Sequence, residues 1–449
     1  MDTNHVGSDV IGLAQVKIRA VLFALLAAAL LLMTLAWQIP MMLWDHLDLL
    51  PIYRGWLDGS LSGTGFWDIH GGHIHTSAYA VLLATTWLAN GQVWLDGVVS
   101  WALLLVFAAL VARFPGATDC AAGQRLPRAQ QGLFMAAIVL MSLYPGHLAN
   151  LQWGWQVAVF LCLAGVATVI WLLTRQPLHW RINLVALAAA LVAITSFATG
   201  IALAPTALLL ILLRAGAPLR QRLLPALPWL ALLAVAGWQA LAITGRADIV
   251  PASPMAVLVY ALNMIGGGIS RFATDAAPWL TLLALALMVP AWCRLRRLSQ
   301  ALPWLGLAVF AVLAALAIAG GRTATYGTDH AFVTRYASFA SVFWLGWLGL
   351  MRLWCAQLAP QGRRAVMVAV TVVVVFASVN ALHLISKASR LSARTEIVAA
   401  TIRDQFPAVD PTLLAEIYFQ QPEVALARLR MLQQLGFPPF DEQDRQSSP

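Results

Sequence analysis

The stretch AVLFALLAAALLLMTLAW, residues 20–37, carries no charge and is long enough to cross a bilayer as a helix. Comparable apolar runs recur down to residue 385. Such a chain has few folding options. In hydrocarbon every backbone N–H and C=O must be satisfied internally, which leaves helices or closed barrels. Long, uniformly apolar runs read as helices. The chain of 449 residues is 61% hydrophobic and only 10% charged, too little charge to cover a soluble protein of this size. The expected fold class is an all-α polytopic membrane protein. Lys and Arg outnumber Asp and Glu, 28 to 19. In this class the excess reads as a topology signal rather than as a nucleic-acid surface, so no nucleic-acid partner is expected.

Residues 1–19 are polar and end in Lys17 and Arg19. The run that follows is too long for a signal-peptide core and lacks a clear cleavage site. The expectation is a cytoplasmic N-terminus, 1–19, and a retained first helix. Basic residues cluster at Lys17/Arg19, Arg113/Arg125/Arg128, Arg175/Arg181, Arg214/Arg220/Arg222, Arg294/Arg296/Arg297 and Arg352/Arg363/Arg364. If all six clusters are cytoplasmic, two spans lie between each successive pair. The apolar runs then give about eleven spans, N-terminus inside and C-terminus outside: 20–43, 95–113, 131–146, 154–174, 182–198, 200–214, 223–243, 277–293, 301–320, 336–355 and 365–385. Residues 76–90, TSAYAVLLATTWLAN, are short for a crossing, and counting them would invert every downstream cluster. They are expected as an interfacial or re-entrant outer helix, with 255–272 a second one. The transmembrane region is thus 20–385, with a large first outer loop at 44–94. The tail, 386–449, holds every glutamate and is expected as an outer-face appendage, helical over 393–405 and 411–434.

On this topology eight of the nine aspartates between residues 45 and 329 face the outside or the outer interface. Topology explains basic inner loops but does not exclude acids from them. The outer face is therefore where titratable chemistry gathers. WDHLD, 44–48, places Asp45 and Asp48 three apart, on one face if the first helix continues. Such a pair could deprotonate a hydroxyl, orient an acceptor or hold a divalent cation. Capping of a short helix by Asp45, and pairing of Asp48 with Arg54, are the plain alternatives. Asp58, in LDGS, reads as a turn residue. WDIHGGHIHTS, 67–77, carries His70, His73 and His75. Its spacing is not that of a helical zinc signature, so hydrogen bonding to a phosphate or sugar is the preferred use. The four cysteines are scattered, with no metal-ligand spacing and no disulfide framework. GGRTATYGTDHAFVTRYASF, 320–339, gathers Arg322, Asp329, His330, Arg335 and Tyr336 before a span. Arginine at that depth suits a lipid-linked phosphate. In NLQWGWQ, 150–156, Trp153, Trp155 and Gln156 could meet a sugar ring or belong to the interfacial belt.

Together these segments resemble the GT-C superfamily of integral-membrane glycosyltransferases, which use polyprenyl-phosphate-linked sugars. That family has an aspartate-bearing first outer loop after the first span, then a histidine-containing segment and a juxtamembrane helix. WDHLD, HGGHIH and residues 76–90 occupy those places here. QWGWQ and VTRYASF are similar to a tryptophan–glycine–aromatic–glutamine stretch and a serine–arginine–tyrosine stretch in a bacterial branch of this type, with threonine for serine in the second. HGGHIHTS lacks the acid and arginine of that branch's histidine run. The resemblance covers most of residues 20–385 and leaves the tail outside.

The resemblance implies an inverting transfer at the outer face of a bacterial inner membrane. Asp45 would act as base on the acceptor hydroxyl and Asp48 would orient it. Arg335, helped by His330 or Arg54, would stabilise the departing lipid phosphate. The implied partners are a polyprenyl-phosphate-linked sugar, a glycan or lipid acceptor and membrane lipids. Magnesium or manganese stays open as a cofactor, because members of the superfamily differ. A polymerase or ligase of lipid-linked glycans is the alternative. A transporter or flippase ranks third, since no charge falls deep within a span and no halves repeat.

Overall fold

A computed structural model describes residues 3–63, 65–67, 69–70, 73–114, 126–175, 178–214, 218–244, 252–296, 298–418 and 422–440. Asp68, Asp119, Cys120, Arg125, Asp248, Arg297 and 441–449 lie outside the described residues, as do the side chains of Lys17, Arg19, His70 and His73. The chain is helical almost throughout. In order the helices are α1 (Thr3–Ala36), α2 (Leu49–Leu57), α3 (Thr76–Leu88), α4 (Trp94–Ala112), α5 (Arg128–Ser142) and α6 (Leu148–Leu151). Then follow α7 (Val157–Thr174), α8 (Trp180–Ile194), α9 (Leu203–Leu212), α10 (Leu219–Thr244), α11 (Pro254–Ser270) and α12 (Ala277–Leu295). The last are α13 (Leu302–Tyr326), α14 (Ala337–Cys355), α15 (Pro360–Gln405), α16 (Pro411–Ile417) and α17 (Pro422–Leu435). The described strands are one two-residue pair, Ile69 opposite Ile74 and His70 opposite His73.

Among the described residues seven helices are long and apolar enough to cross a membrane, so the chain is a multi-pass membrane protein. All seven coincide with expected spans. The other four expected spans fall on apolar helices of 17 residues or fewer, at Ala20–Ala36, Trp180–Ile194, Ala198–Leu212 and Arg222–Val235. Thr76–Leu88 and Pro254–Ser270 are helices of the same short class.

The two ends of the span series depart from the expected boundaries. The first helix stops at Ala36 rather than continuing to 43. Pro40 explains the stop, because the residue before a proline is driven out of the helical region. Ile39 instead donates its amide to Gln152 O (3.2 Å). The last helix does not end near 385. It continues unbroken through 46 residues to Gln405, about 69 Å. Between Gly362 and Pro407 there is neither glycine nor proline to end it. The tail is therefore the C-terminal half of α15 followed by α16 and α17, and α17 packs against α2.

The transmembrane core centres on α14, buried along most of its length. Small residues let its neighbours approach: a Cβ on Gly346 would lie 2.5 Å from Trp304 O and 2.6 Å from Ala308 N on α13. Apolar contacts alone do not discriminate protein from lipid, so polar ties fix the helices. Asn380 of α15 accepts from Arg271 N (2.8 Å) and donates to Gly268 O (3.0 Å) and Tyr144 OH (2.8 Å). That one amide joins α15, the end of α11 and the end of α5. Asn183 of α8 accepts from Trp229 Nε1 of α10 (2.9 Å) and donates to Pro225 O (3.1 Å), a carbonyl inside a proline-containing helix. A second apolar cluster sits apart from this core. It gathers Met42, Leu50, Tyr79, Trp153 and Trp155 against Ile402, Tyr418, Leu429 and Phe437 of the tail. The candidate site lies where these two clusters meet.

Candidate functional site

WDHLD forms a 3₁₀ turn, Trp44–Asp48, reached by an extended segment after α1. With three residues per turn, Asp45 and Asp48 share a side, as their spacing suggested, though α1 itself does not carry them. Trp44 opens the turn with φ of 56°, a conformation costly for a bulky residue. Its neighbours hold it there. Its Nε1 donates to Glu416 O (3.1 Å), and its ring meets Trp153 edge-on at 5.2 Å. Trp153 Nε1 in turn donates to Leu43 O (3.2 Å).

The two carboxylates differ in surroundings. Both are half-buried. Tyr418 donates its hydroxyl to Asp48 Oδ1, and Arg428 Nη2 lies 3.5 Å from the same oxygen. Burial first, and Asp48 second, push the Tyr418 phenol up to about 12, so it remains a donor at neutral pH. The tail thus supplies the partners that the sequence had assigned to Arg54. Arg54 is exposed and donates to Gln434 Oε1 (3.0 Å) instead. Asp58 is the turn residue expected, accepting from Ser60 N (2.9 Å) and Ser60 Oγ (2.5 Å). Those bonds hold its carboxyl below the usual range.

Between the aspartates, His46 is fully buried, and burial pulls it down to about 3. It is neutral at physiological pH. Its Nε2 lies 3.8 Å from Asp96 Oδ2 on α4, which is too long for a hydrogen bond, and a neutral ring makes no ion pair. Thr85 of α3 donates to the other oxygen of Asp96. Gly154 closes this group from the opposite side. A Cβ there would press on Asp96 Oδ2 and lie 2.6 Å from His46 Cε1.

His75 is buried and donates from Nδ1 to Ser196 O (2.9 Å), which fixes its tautomer. Its ring lies 5.2 Å from Trp155 and 6.4 Å from Phe197. His70 and His73 enter the description only as backbone of the small strand pair. Trp153, Trp155 and Gln156 are buried, so they form the floor of the site rather than an exposed sugar platform.

The second group lies on the connection from α13 to α14. Gly327, at φ of 72°, ends α13, and two 3₁₀ turns follow, Thr328–Phe332 and Thr334–Tyr336. His330 stacks on Tyr326 at 4.5 Å, and its Nδ1 lies 2.9 Å from Tyr260 OH. Burial, then Arg335 and Arg322, lower it to about 4, so it too is neutral. Arg335 is half-buried with its guanidinium 5.4 Å from the centre of the Tyr336 ring. Asp329 is exposed and lines a cleft of about 320 Å³ with Asn263, Thr274, Asp275, Pro278, Trp279 and Phe332.

Sequence reasoning missed Arg271. It is buried at the end of α11 and braces this connection, donating to Phe332 O (3.2 Å) and Val333 O (3.1 Å). Burial lowers it to about 10, which leaves it cationic. A single arginine closing a long apolar run, GGGISRF, was the available signal.

One segment joins the two groups. Asn150 donates to Arg335 O (2.9 Å) and Ser338 Oγ (2.7 Å), and His147 Nδ1 lies 2.8 Å from the same hydroxyl. Two residues on, Gln152 donates to Trp37 O and to Ala388 O (2.9 Å), and Trp153 holds the acidic turn. Residues 147–156 thus anchor the Arg335 turn at one end and the Asp45/Asp48 turn at the other. Among the described residues no three of His, Cys, Asp and Glu come together as a metal site. No protein-family model matches the chain, and no curated protein and no solved structure matches it.

Proposed function

We propose that the chain is a glycosyltransferase of the bacterial inner membrane, acting at the outer face. It moves a sugar from a polyprenyl-phosphate-linked donor to a glycan or lipid acceptor. One observation carries the reading: residues 147–156 tie an acid-bearing turn and an arginine-bearing turn to a single support. Transfer from a phosphate-linked donor needs a base on one side of the anomeric carbon and positive charge on the other.

In this reading Asp45 accepts the acceptor's hydroxyl proton as the hydroxyl oxygen bonds to the anomeric carbon. The bond from that carbon to the phosphate oxygen breaks, and the electron pair leaves with the phosphate. Arg335 stabilises the departing charge in a partly desolvated place, where a fixed cation acts more strongly than in water. Asp48, fixed by Tyr418 and Arg428, positions rather than reacts. The neutral His330 adds a hydrogen-bonding edge without competing for the phosphate's charge.

The test is mass spectrometry of surface glycans in a deletion strain complemented by Asp45→Asn, with expression and melting temperature checked beside it. A normally folded variant that gives no transfer is expected. Unchanged glycans in the complemented strain would remove Asp45 from the mechanism.

A further inference from the structure

The C-terminal half of α15 carries a row of one histidine and two cations that the proposed chemistry does not use. His383, Lys387 and Arg390 follow at four- and three-residue steps, so they share one helix face. Arg271 lies beside them, its backbone amide 2.8 Å from Asn380 Oδ1 one turn earlier. Their charges act on one another: Arg271, Lys387 and Arg390 bear on His383, and Arg271 and Arg390 bear on Lys387. Among the described residues no carboxylate pairs with Lys387 or Arg390. The contrast with the next residue in the row is direct, because Arg394 is neutralised by Glu416 at 2.7 Å. His383 Nε2 is buried and has no hydrogen-bond partner among the described residues.

Gathering unpaired cations is unfavourable unless something anionic meets them. The adjoining surface indicates what kind of anion. Val368 (63% exposed), Val372, Val375, Val379 and Leu382 (69% exposed) form an apolar stripe along α15. By helix geometry this stripe lies roughly 70° around the axis from the cationic row and ends about 7 Å short of Lys387. Apolar contact that leads directly into positive charge fits an amphiphile better than a free ion.

We propose that α15 holds a lipid with a phosphate headgroup, its chain along Val368–Leu382 and its phosphate between Lys387 and Arg390, next to His383. Arg271 contributes its field from behind, its own N–H groups being committed to carbonyls of residues 332 and 333. Two sources share this chemistry: a bulk anionic phospholipid and a polyprenyl phosphate. The site rests on α15 and not on sugar transfer, so the two proposals fail separately.

The experiment is native mass spectrometry of the purified full-length protein in detergent. Phosphatidylglycerol, a polyprenyl monophosphate, phosphatidylcholine and inorganic phosphate are titrated in turn. Phosphatidylglycerol or the polyprenyl phosphate is expected to bind well above phosphatidylcholine, and the tighter of the two identifies the source. Lys387 and Arg390 are exposed, so Lys387→Gln/Arg390→Gln should fold normally. It is expected to weaken binding about 30-fold, while Lys387→Arg/Arg390→Lys restores it. Equal binding to the double glutamine variant, or no preference over phosphatidylcholine, overturns the site. Displacement of the bound lipid by inorganic phosphate overturns the assignment to a lipid.

Discussion

Gly154→Ala probes the packing on which the acidic turn depends. The added Cβ would lie against Asp96 Oδ2, 2.6 Å from His46 Cε1 and 2.9 Å from Val93 Cγ1. Ordinary carbon contacts sit at about 3.5–4.0 Å, so these neighbours must retreat by about 1 Å. None of them is a flexible chain end: His46 is fully buried, Asp96 is held by Thr85, and Val93 is buried beside α4. Overpacking of this kind costs about 1–3 kcal/mol. The control is Gly132→Ala on α5, where nothing lies within 4 Å of the new atom. There the helix gains about 0.5–1 kcal/mol. The two variants carry the same chemical change and should move the melting temperature in detergent in opposite directions. Gly154→Ala should also reduce transfer, because His46 can retreat only by shifting Asp45 and Asp48. A Gly154→Ala variant that melts with or above the wild type would refute this account of the turn.

Other outcomes follow from the same contacts. Tyr418→Phe removes a bond to a half-buried carboxylate, and charge-assisted bonds of this sort contribute about 1.5–3 kcal/mol. Limited proteolysis should then cut within the α16–α17 region sooner, and unchanged cleavage would count against the tail clasp. The His46 pKa lies far below its unfolded value of 6.5, at about 3, so below pH 6.5 the unfolded chain takes up a proton that the folded chain refuses. Stability should therefore fall as pH drops from 6.5 towards 3, and His46→Phe should flatten that part of the melting-temperature profile. Asn380→Leu removes the side-chain partner of Arg271 N and Gly268 O, while Tyr144 keeps its bond to Ala377 O, and is expected to cost about 1–2 kcal/mol by thermal melting. A cysteine at Asn90, an exposed turn residue, should react with an impermeant maleimide added from outside, and protection there would mean that α3 crosses the bilayer.

Much of the transmembrane layout was legible because its cause is local. A run such as VAVFLCLAGVATVIWLLT answers to the bilayer alone, and α7 occupies it from end to end. Pro40 and the missing helix breakers after Gly362 were also visible, and they set the ends of α1 and α15. The acidic turn was visible as a cluster of charge, but its partners were not. Asp48 and Tyr418 are 370 positions apart, Trp44 and Glu416 are 372 apart, and no local pattern links them. Asp96 stood at the start of an expected span, an interfacial acid, and nothing local showed that folding places it beside His46. Arg335 was found because it stands among other polar residues. Arg271, which supports the same connection, was overlooked because its partners are backbone carbonyls, which every sequence supplies alike.

The unbroken length of α15 makes the tail a rigid crank rather than a tether. Inserting one residue near 392 would turn everything beyond it by about 100° and lift it by about 1.5 Å. Tyr418 and Arg428 would swing away from Asp48, and Glu416 from Trp44. Adding seven residues nearly restores the angle but raises the tail by about 10 Å, out of reach of the loop that follows α1. Point substitutions along the exposed side of this rod are therefore far easier to accommodate than changes in its length, and the contacts around Asp48 depend on residue count as much as on residue identity.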